Sequence, residues 1–330
     1  MALQSEFDLI KRHFAPLSAG APGAFGLAND AAVWRAADGC EIVVTTDCMV
    51  ANVHFLADDP AASVAHKILA VNLSDVAAMG ARPVAYTLAT AFPHATGEDW
   101  VADFAAGLGA AQSAAGICLI GGDTVSTPGP MTLSLTAFGE VPAGKALTRS
   151  GCRPGDVIFV SGTIGDAALG LKVLQHKVAP AGTEDAEYLI GRYRRPSART
   201  RLGARLAGLA SAAIDISDGL GQDLEHLARE SGVEIVIDVS KIPLSQAMHG
   251  CMTRDERIWS DVFGGGDDYE LAFSVAQADV DKLLVAAEES ATPVAAIGHV
   301  ASEGSDGAVV RFLDGSGAAM NISARGFRHF

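Results

Sequence analysis

The sequence predicts an α+β protein of two domains, with mixed and antiparallel sheets and helices packed on them. Three observations carry that prediction. The chain has 330 residues, more than one hydrophobic core usually holds. Strand-like and helix-like patterns are mixed without the strict strand–helix–strand rhythm of a doubly wound parallel sheet. Residues 141–154 are rich in Gly, Pro and polar side chains, the composition of a domain junction. We therefore expect domains over 1–145 and 146–330.

The elements follow in order. Phe7, Ile10 and Phe14 share one helical face, predicting a helix over 7–14. Strands are expected at 42–45 and 86–91. The segment 131–138 alternates well, with Leu133, Leu135 and Ala137 opposite Thr132, Ser134 and Thr136. An apolar helix is expected over 66–79. Another starts near Glu98, where Thr96 and Asp99 resemble a capping box and Trp100, Phe104 and Leu108 recur every four residues. Beyond the junction we expect a strand at 157–160, a tight turn at 161–165 and a helix over 166–174. Two more helices carry Leu202, Leu206 and Leu209, and Leu220, Leu224 and Leu227. Strands close the chain near 233–237, 271–275, 294–297 and 309–313.

The bulk numbers exclude several classes. Apolar residues make up 49% and charged residues 19%, as in a globular enzyme. The net charge of −15 argues against nucleic acid or an anionic membrane as partner. Five cysteines without a C-x-x-C, and acids near the N-terminus in place of a basic leader, point to a reduced, cytoplasmic chain. No histidine spacing suits zinc, and no G-x-S-x-G suits a hydrolase serine.

The informative pattern is an apolar stretch adjoining a small polar cluster with Asp, repeated along the chain. The clusters are Asn29-Asp30, Thr45-Thr46-Asp47, Asn72-Leu73-Ser74-Asp75, Gly121-Gly122-Asp123-Thr124, Asp215-Ile216-Ser217-Asp218 and Gly266-Asp267-Asp268. Carboxylates with hydroxyls are the hard oxygen donors that Mg²⁺ takes, usually beside substrate phosphates. Each cluster has a structural reading too. Thr46-Asp47 can cap a helix or close a turn, Asp218 suits an N-cap before Gly219-Leu220, and Gly121–Thr124 reads as an ordinary turn. Asp75, inside an apolar helix, is hardest to explain structurally, because a charge there is costly unless paired. Arg149 is the better anion ligand, since its fork suits phosphate; the Arg192–Arg195 run before Pro196 reads as a solvated loop.

These motifs, with Val53-His54-Phe55, Leu147-Thr148-Arg149-Ser150-Gly151 and Gly265-Gly266-Asp267-Asp268-Tyr269-Glu270, resemble the thiamine-monophosphate kinase family over almost the full length. That family sits in the aminoimidazole ribonucleotide synthetase-like superfamily. The resemblance implies a fold of that type, ATP as co-substrate, several Mg²⁺ ions and a homodimer built on the N-terminal domain. The C-terminal domain would complete the ATP and acceptor site. By motif match, Asp30, Thr45, Thr46, Asp47, Asp75, Asp123, Asp215 and Asp218 are the metal set. Gly122, Asp123, Arg149 and Ser217 would meet ATP, and His54, Asp267 and Phe327 the acceptor, thiamine monophosphate. The expected chemistry is direct in-line transfer with no general base, resting on Asp47, Asp75, Asp123 and Arg149. Three departures stand out. Ala28-Asn29 replaces a Gly-Asp pair, Asp267 replaces Glu, and Val125-Ser126-Thr127-Pro128 lacks an expected Arg. Rival readings are an ATP-consuming synthetase of the same superfamily and a non-catalytic, metal-binding scaffold.

Overall fold

A computed structural model describes residues 6–252, 258–303 and 309–320. The chain divides into two compact units: Met1–Val76 with Arg82–Gly144, and Ala77–Ala81 with Lys145–Phe330.

The first unit opens with α1 (Glu6–Leu9), which passes into a π-helical turn over Ile10–Phe14 and then short 3₁₀ turns. The expected helix over 7–14 is thus split by a change of winding. Next come β1 (Cys40–Val50), α2 (Ala61–Ala78), β2 (Arg82–Pro93), α3 (Glu98–Ala115), β3 (Cys118–Thr127) and β4 (Thr132–Pro142). The sheet order is β1-β4-β2-β3, antiparallel except for the parallel β2–β3 pair. Strand alternation sends Val43, Thr45, Asp47 and Met49 toward the helices. Ile42 and Val44 stay on the outward face, 38% and 56% exposed. Helices α2 and α3 pass so closely that a Cβ on Gly107 would lie 2.5 Å from the Ala62 Cα. The buried Tyr86 hydroxyl donates to Gln112 Oε1 at 2.7 Å, and Gln112 Nε2 donates to the Leu17 carbonyl at 3.0 Å. The capping box does not form: α3 starts after Gly97 with no side-chain cap, and Glu98 instead pairs with Arg12 and His13.

The second unit contains β5 (Val157–Ser161), α4 (Asp166–Leu174), α5 (Thr183–Arg194), α6 (Thr200–Leu206), β6 (Ala210–Ile216), α7 (Leu220–Ser231), β7 (Val233–Asp238), α8 (Gln246–Met252), α9 (Trp259–Gly264), β8 (Glu270–Val275), α10 (Val280–Glu289), β9 (Val294–Glu303), β10 (Val309–Leu313) and β11 (Ala319–Met320). Its mixed sheet runs β11-β10-β7-β9-β5-β8-β6. Alternation divides the core. Ile158, Val160, Ile214 and Ile216 face one cluster with Leu220, Leu224 and Leu227 of α7. Phe159, Ala213, Leu271 and Phe273 face another with Leu202, Leu206 and Leu283. Phe159 and Phe273 stack at 5.9 Å.

Among the described residues no helix is long and apolar enough to cross a membrane. All five cysteines are free thiols.

Candidate active site

Two groups of predicted side chains assemble in the first unit. The first joins β1 to α2. Thr45 Oγ1 donates to Asp75 Oδ2 at 2.6 Å, and the Asp47 amide donates to Asn72 Oδ1 at 3.0 Å. Asp47 is pushed up to about 7, first by burial and then by the charge of Asp75 and a hydrogen bond with it. Two carboxylates this close oppose each other's ionisation. The α2 face explains Asp75: the helix places this charge against strand donors instead of hydrocarbon. Thr46 lies on the other face of β1, its hydroxyl 2.8 Å from that of Thr136. Its hydroxyl therefore lies away from the side of β1 that carries Thr45 and Asp47.

The second group lines a cleft of about 120 Å³ beside β3 that includes Asn29, Asp30, Gly121, Gly122, Asp123 and Thr124. The Asn29-Asp30 turn and the Gly121–Thr124 segment, nearly a hundred residues apart, thus meet. Gly122 is required by close approach, since a Cβ there would lie 1.9 Å from the Leu88 carbonyl oxygen. The Thr124 amide donates to Asp123 Oδ1 at 2.8 Å. Register aligns Asp47 with Leu135, Leu88 and Gly122. At a strand spacing of about 4.8 Å, the two groups stand ~14 Å apart across the sheet. Among the described residues no three His, Cys, Asp or Glu side chains gather in a metal-ligating cluster. The Asp47–Asp75 pair presents carboxylate oxygens, the hard donors that Mg²⁺ takes.

His54 follows β1 in a turn. Its Nδ1 accepts from the Val50 amide at 3.0 Å, and its carbonyl accepts from Lys67 Nζ at 2.9 Å.

In the second unit β6 delivers the buried Asp215, and the chain then turns through Ser217, Asp218 and Gly219, with φ +123° at Gly219. Asp218 does not cap α7. Asp223, one turn inside the helix, accepts from the amides of both Asp218 and Gly219 at 3.1 Å. Asp218 accepts from Gln222 Nε2 at 2.9 Å instead. Burial and the Asp218 charge push Asp223 up to about 7, against those amides and Arg149. Arg149 is exposed, its carbonyl accepting from Ser231 Oγ at 3.1 Å. Burial, then Arg229 and Arg149, hold His226 below its ordinary value. The Asp267 loop lies on the Ser217 turn: the Asp267 amide donates to the Ser217 carbonyl at 2.9 Å. A Cβ on Gly266 would fall 2.4 Å from that same oxygen. Phe327 lies outside the described residues.

Sequence reasoning missed the group behind this loop. Arg192 is not in a solvated loop. Its side chain is 11% exposed on α5, and Nη2 donates to Glu270 Oε1 at 2.8 Å. Arg199 grips both oxygens of Glu270, at 2.6 and 2.5 Å. Asp166, Asp268 and Glu270 are fully buried around them. The available signal was the Glu270 that closes the Asp267-Asp268-Tyr269-Glu270 run, an acid at the start of an apolar strand that needs a cation.

Residues 28–141 match the AIR synthase related protein N-terminal domain, and residues 153–311 match its C-terminal domain. The chain is similar to thiamine-monophosphate kinase of Salmonella typhimurium, 40% identical over 98% of each chain. It is similar to the solved thiamine-monophosphate kinase of Stenotrophomonas maltophilia K279a, with a TM-score of 0.84 and 40% identity over 97% of this chain and 99% of the other. AaThiL complexed with AMPPCP and TMP has a TM-score of 0.78 at 28% identity, covering 93% of this chain and 97% of that one.

Proposed function

The chain belongs to the thiamine-monophosphate kinase family, and from that premise we propose that it transfers the γ-phosphate of ATP to thiamine monophosphate, giving thiamine diphosphate and ADP. The observation that carries the reading is the Asp47–Asp75 pair, in which burial first and the neighbouring Asp75 carboxylate second keep Asp47 protonated up to about 7. Two carboxylates held together by a strand and a helix make chemical sense when a cation replaces the proton between them.

The donors fit Mg²⁺. Asp47, Asp75 and Thr45 present hard oxygens, as do Asp30 and Asp123 in the cleft beside β3, and the second unit offers Asp215 and Asp218. When bound, Mg²⁺ would neutralise phosphate oxygens, so that two anionic substrates can approach and charge can build on the transferred group. The protein's own residues bind and orient. Gly122 leaves backbone open beside the cleft, and Arg149 and Ser217 meet the nucleotide. His54, Asp267 and Phe327 hold the acceptor. Thr45 donates to Asp75 and so fixes the direction of its carboxylate. No side chain serves as base, because a phosphate monoester has its second pKa near ~6 and is ionised at neutral pH. Catalysis is then positioning plus electrostatics.

The outward face of the first unit's sheet supports a homodimer. Ile42, Val44 and Val125 lie on it, 38%, 56% and 51% exposed. The alternation that buries Val43 and Met49 leaves these apolar side chains to another surface. The working compartment is the cytoplasm, where the five free thiols stay reduced.

The test is ADP formation with and without thiamine monophosphate. Acceptor-dependent ADP together with thiamine diphosphate supports the reading. ADP and orthophosphate without a phosphorylated acceptor would show a synthetase, and no turnover a scaffold.

A further inference from the structure

The backbone around Asp267 is strained. Asp267 and Tyr269 both have left-handed φ, +72° and +51°, which L-residues avoid and which persist only where the surroundings enforce them. Enforcing contacts come from within the second unit. Asp267 and Tyr269 donate their amides to the carbonyls of Ser217 and Ile216, at 2.9 and 2.8 Å. Between them, the Asp268 carboxylate turns inward and accepts from the amides of Gly165 and Ala167, at 2.6 and 3.2 Å. Arg192 Nη2 reaches the Asp268 carbonyl at 3.4 Å while holding Glu270. One guanidinium thus touches the loop backbone and the first residue of β8. The Tyr269 hydroxyl then donates to Asp267 Oδ1 at 3.0 Å, and so orients the carboxylate itself. Arg199 already grips both oxygens of Glu270, so neutralising Glu270 does not by itself account for the reach of Arg192 to the loop.

We propose that Arg192 and Tyr269 are positioning residues, a clamp that sets the strained Asp267 loop and aims the Asp267 carboxylate at the acceptor. This rests on the assignment of Asp267 to thiamine monophosphate. Arg192 works on the backbone from behind, and Tyr269 works on the carboxylate directly. Neither touches substrate. A clamp of this kind bears first on the acceptor, because the Tyr269 hydroxyl ends on the Asp267 carboxylate and Arg192 on the Asp268 carbonyl beside it.

The experiment is steady-state kinetics on the full chain with Arg192→Lys, Tyr269→Phe, Asp267→Asn and the double variant Tyr269→Phe/Asp267→Asn. Lysine keeps the charge and loses the fork. Phenylalanine keeps the buried ring and loses only the hydroxyl. Each single clamp variant should raise KM for thiamine monophosphate about ten-fold, the size of one lost hydrogen bond to a charged group, with KM for ATP unchanged. In the Asp267→Asn background, Tyr269→Phe should add much less than in the parent, because the hydroxyl then meets only a neutral amide oxygen and no carboxylate remains to be aimed. Equal changes in both KM values, or loss of kcat alone, would overturn the clamp and leave the cluster structural. An undiminished Tyr269→Phe effect in the double variant would overturn it as well. If Arg192→Lys does not fold, Tyr269→Phe decides. Asp267→Asn with an unchanged KM for the acceptor would instead overturn the assignment of Asp267, a result separate from either failure of the clamp.

Discussion

Replacing Asp47 with Asn separates the two things its carboxylate does, repelling Asp75 and attracting a cation. In the metal-free protein Asp47 is raised from 3.8 to about 7. At about 1.36 kcal/mol per pKa unit, that is on the order of 4 kcal/mol of strain in the ionised state. The sign follows from proton binding. The folded carboxyl holds its proton more tightly than the unfolded one, so stability is greatest below about 4 and falls as pH rises through 7. Asparagine is neutral throughout, and its amide can still donate to Asp75. Urea denaturation in EDTA should therefore show Asp47→Asn gaining on the parent by on the order of 3 kcal/mol between pH 5 and pH 8. Asp223 and Asp268, also raised, are common to both proteins and cancel in the difference. Added Mg²⁺ should stabilise the parent at pH 8 and the variant much less, while the variant loses turnover. Equal pH dependence in the two proteins would refute the argument, as would near-normal turnover by the variant at saturating Mg²⁺.

Three further outcomes follow from the packing. Gly122→Ala places a methyl group against the Leu88 carbonyl oxygen and should cost at least ~2 kcal/mol in urea denaturation, with weakened nucleotide binding by calorimetry. Glu270→Gln leaves Arg192 and Arg199 facing an uncharged partner at a fully buried position; an uncompensated buried ion pair costs about 3–5 kcal/mol, read from the same denaturation curves. Val44→Arg puts a charge on the exposed apolar sheet face and should shift sedimentation from dimer to monomer with the circular dichroism spectrum unchanged.

What was legible in the sequence was whatever local pattern encodes. The alternation at 131–138 became β4, and the four-residue recurrence of Trp100, Phe104 and Leu108 became α3, with Phe104 and Leu108 fully buried. Strands β1 and β2 extend several residues past their predicted ends: the flanks of β1 carry exposed or polar side chains that dilute the pattern, and those of β2 carry Pro83 and Pro93, which read as strand breakers. Strand β6 escaped prediction: Ala210, Ala212 and Ala213 have no β-branched signature, and pairing with β8 decides their conformation. Helix α5 escaped as well, since only Leu189 and Tyr193 of it are buried apolar side chains.

The sequence by itself determined the chemistry available: aspartates beside apolar stretches, oxygen donors in place of thiols or imidazoles, and two domains; the structure sets Asp47, Asp75 and Asp123 inside their elements and not at the ends. Tertiary structure alone decided which of these meet. Asp47 finds Asp75 across a strand–helix contact, Asp30 finds Asp123 across a cleft, and Asp223, not Asp218, takes the turn amides. Arg192, read locally as a solvated side chain, is held charged against burial by Glu270, Asp268 and Asp166, which lie far from it in sequence. The reason is physical. Propensity and periodicity act over one or two turns of chain, whereas the energy of a buried charge is set by whatever partners the fold brings within a few ångströms.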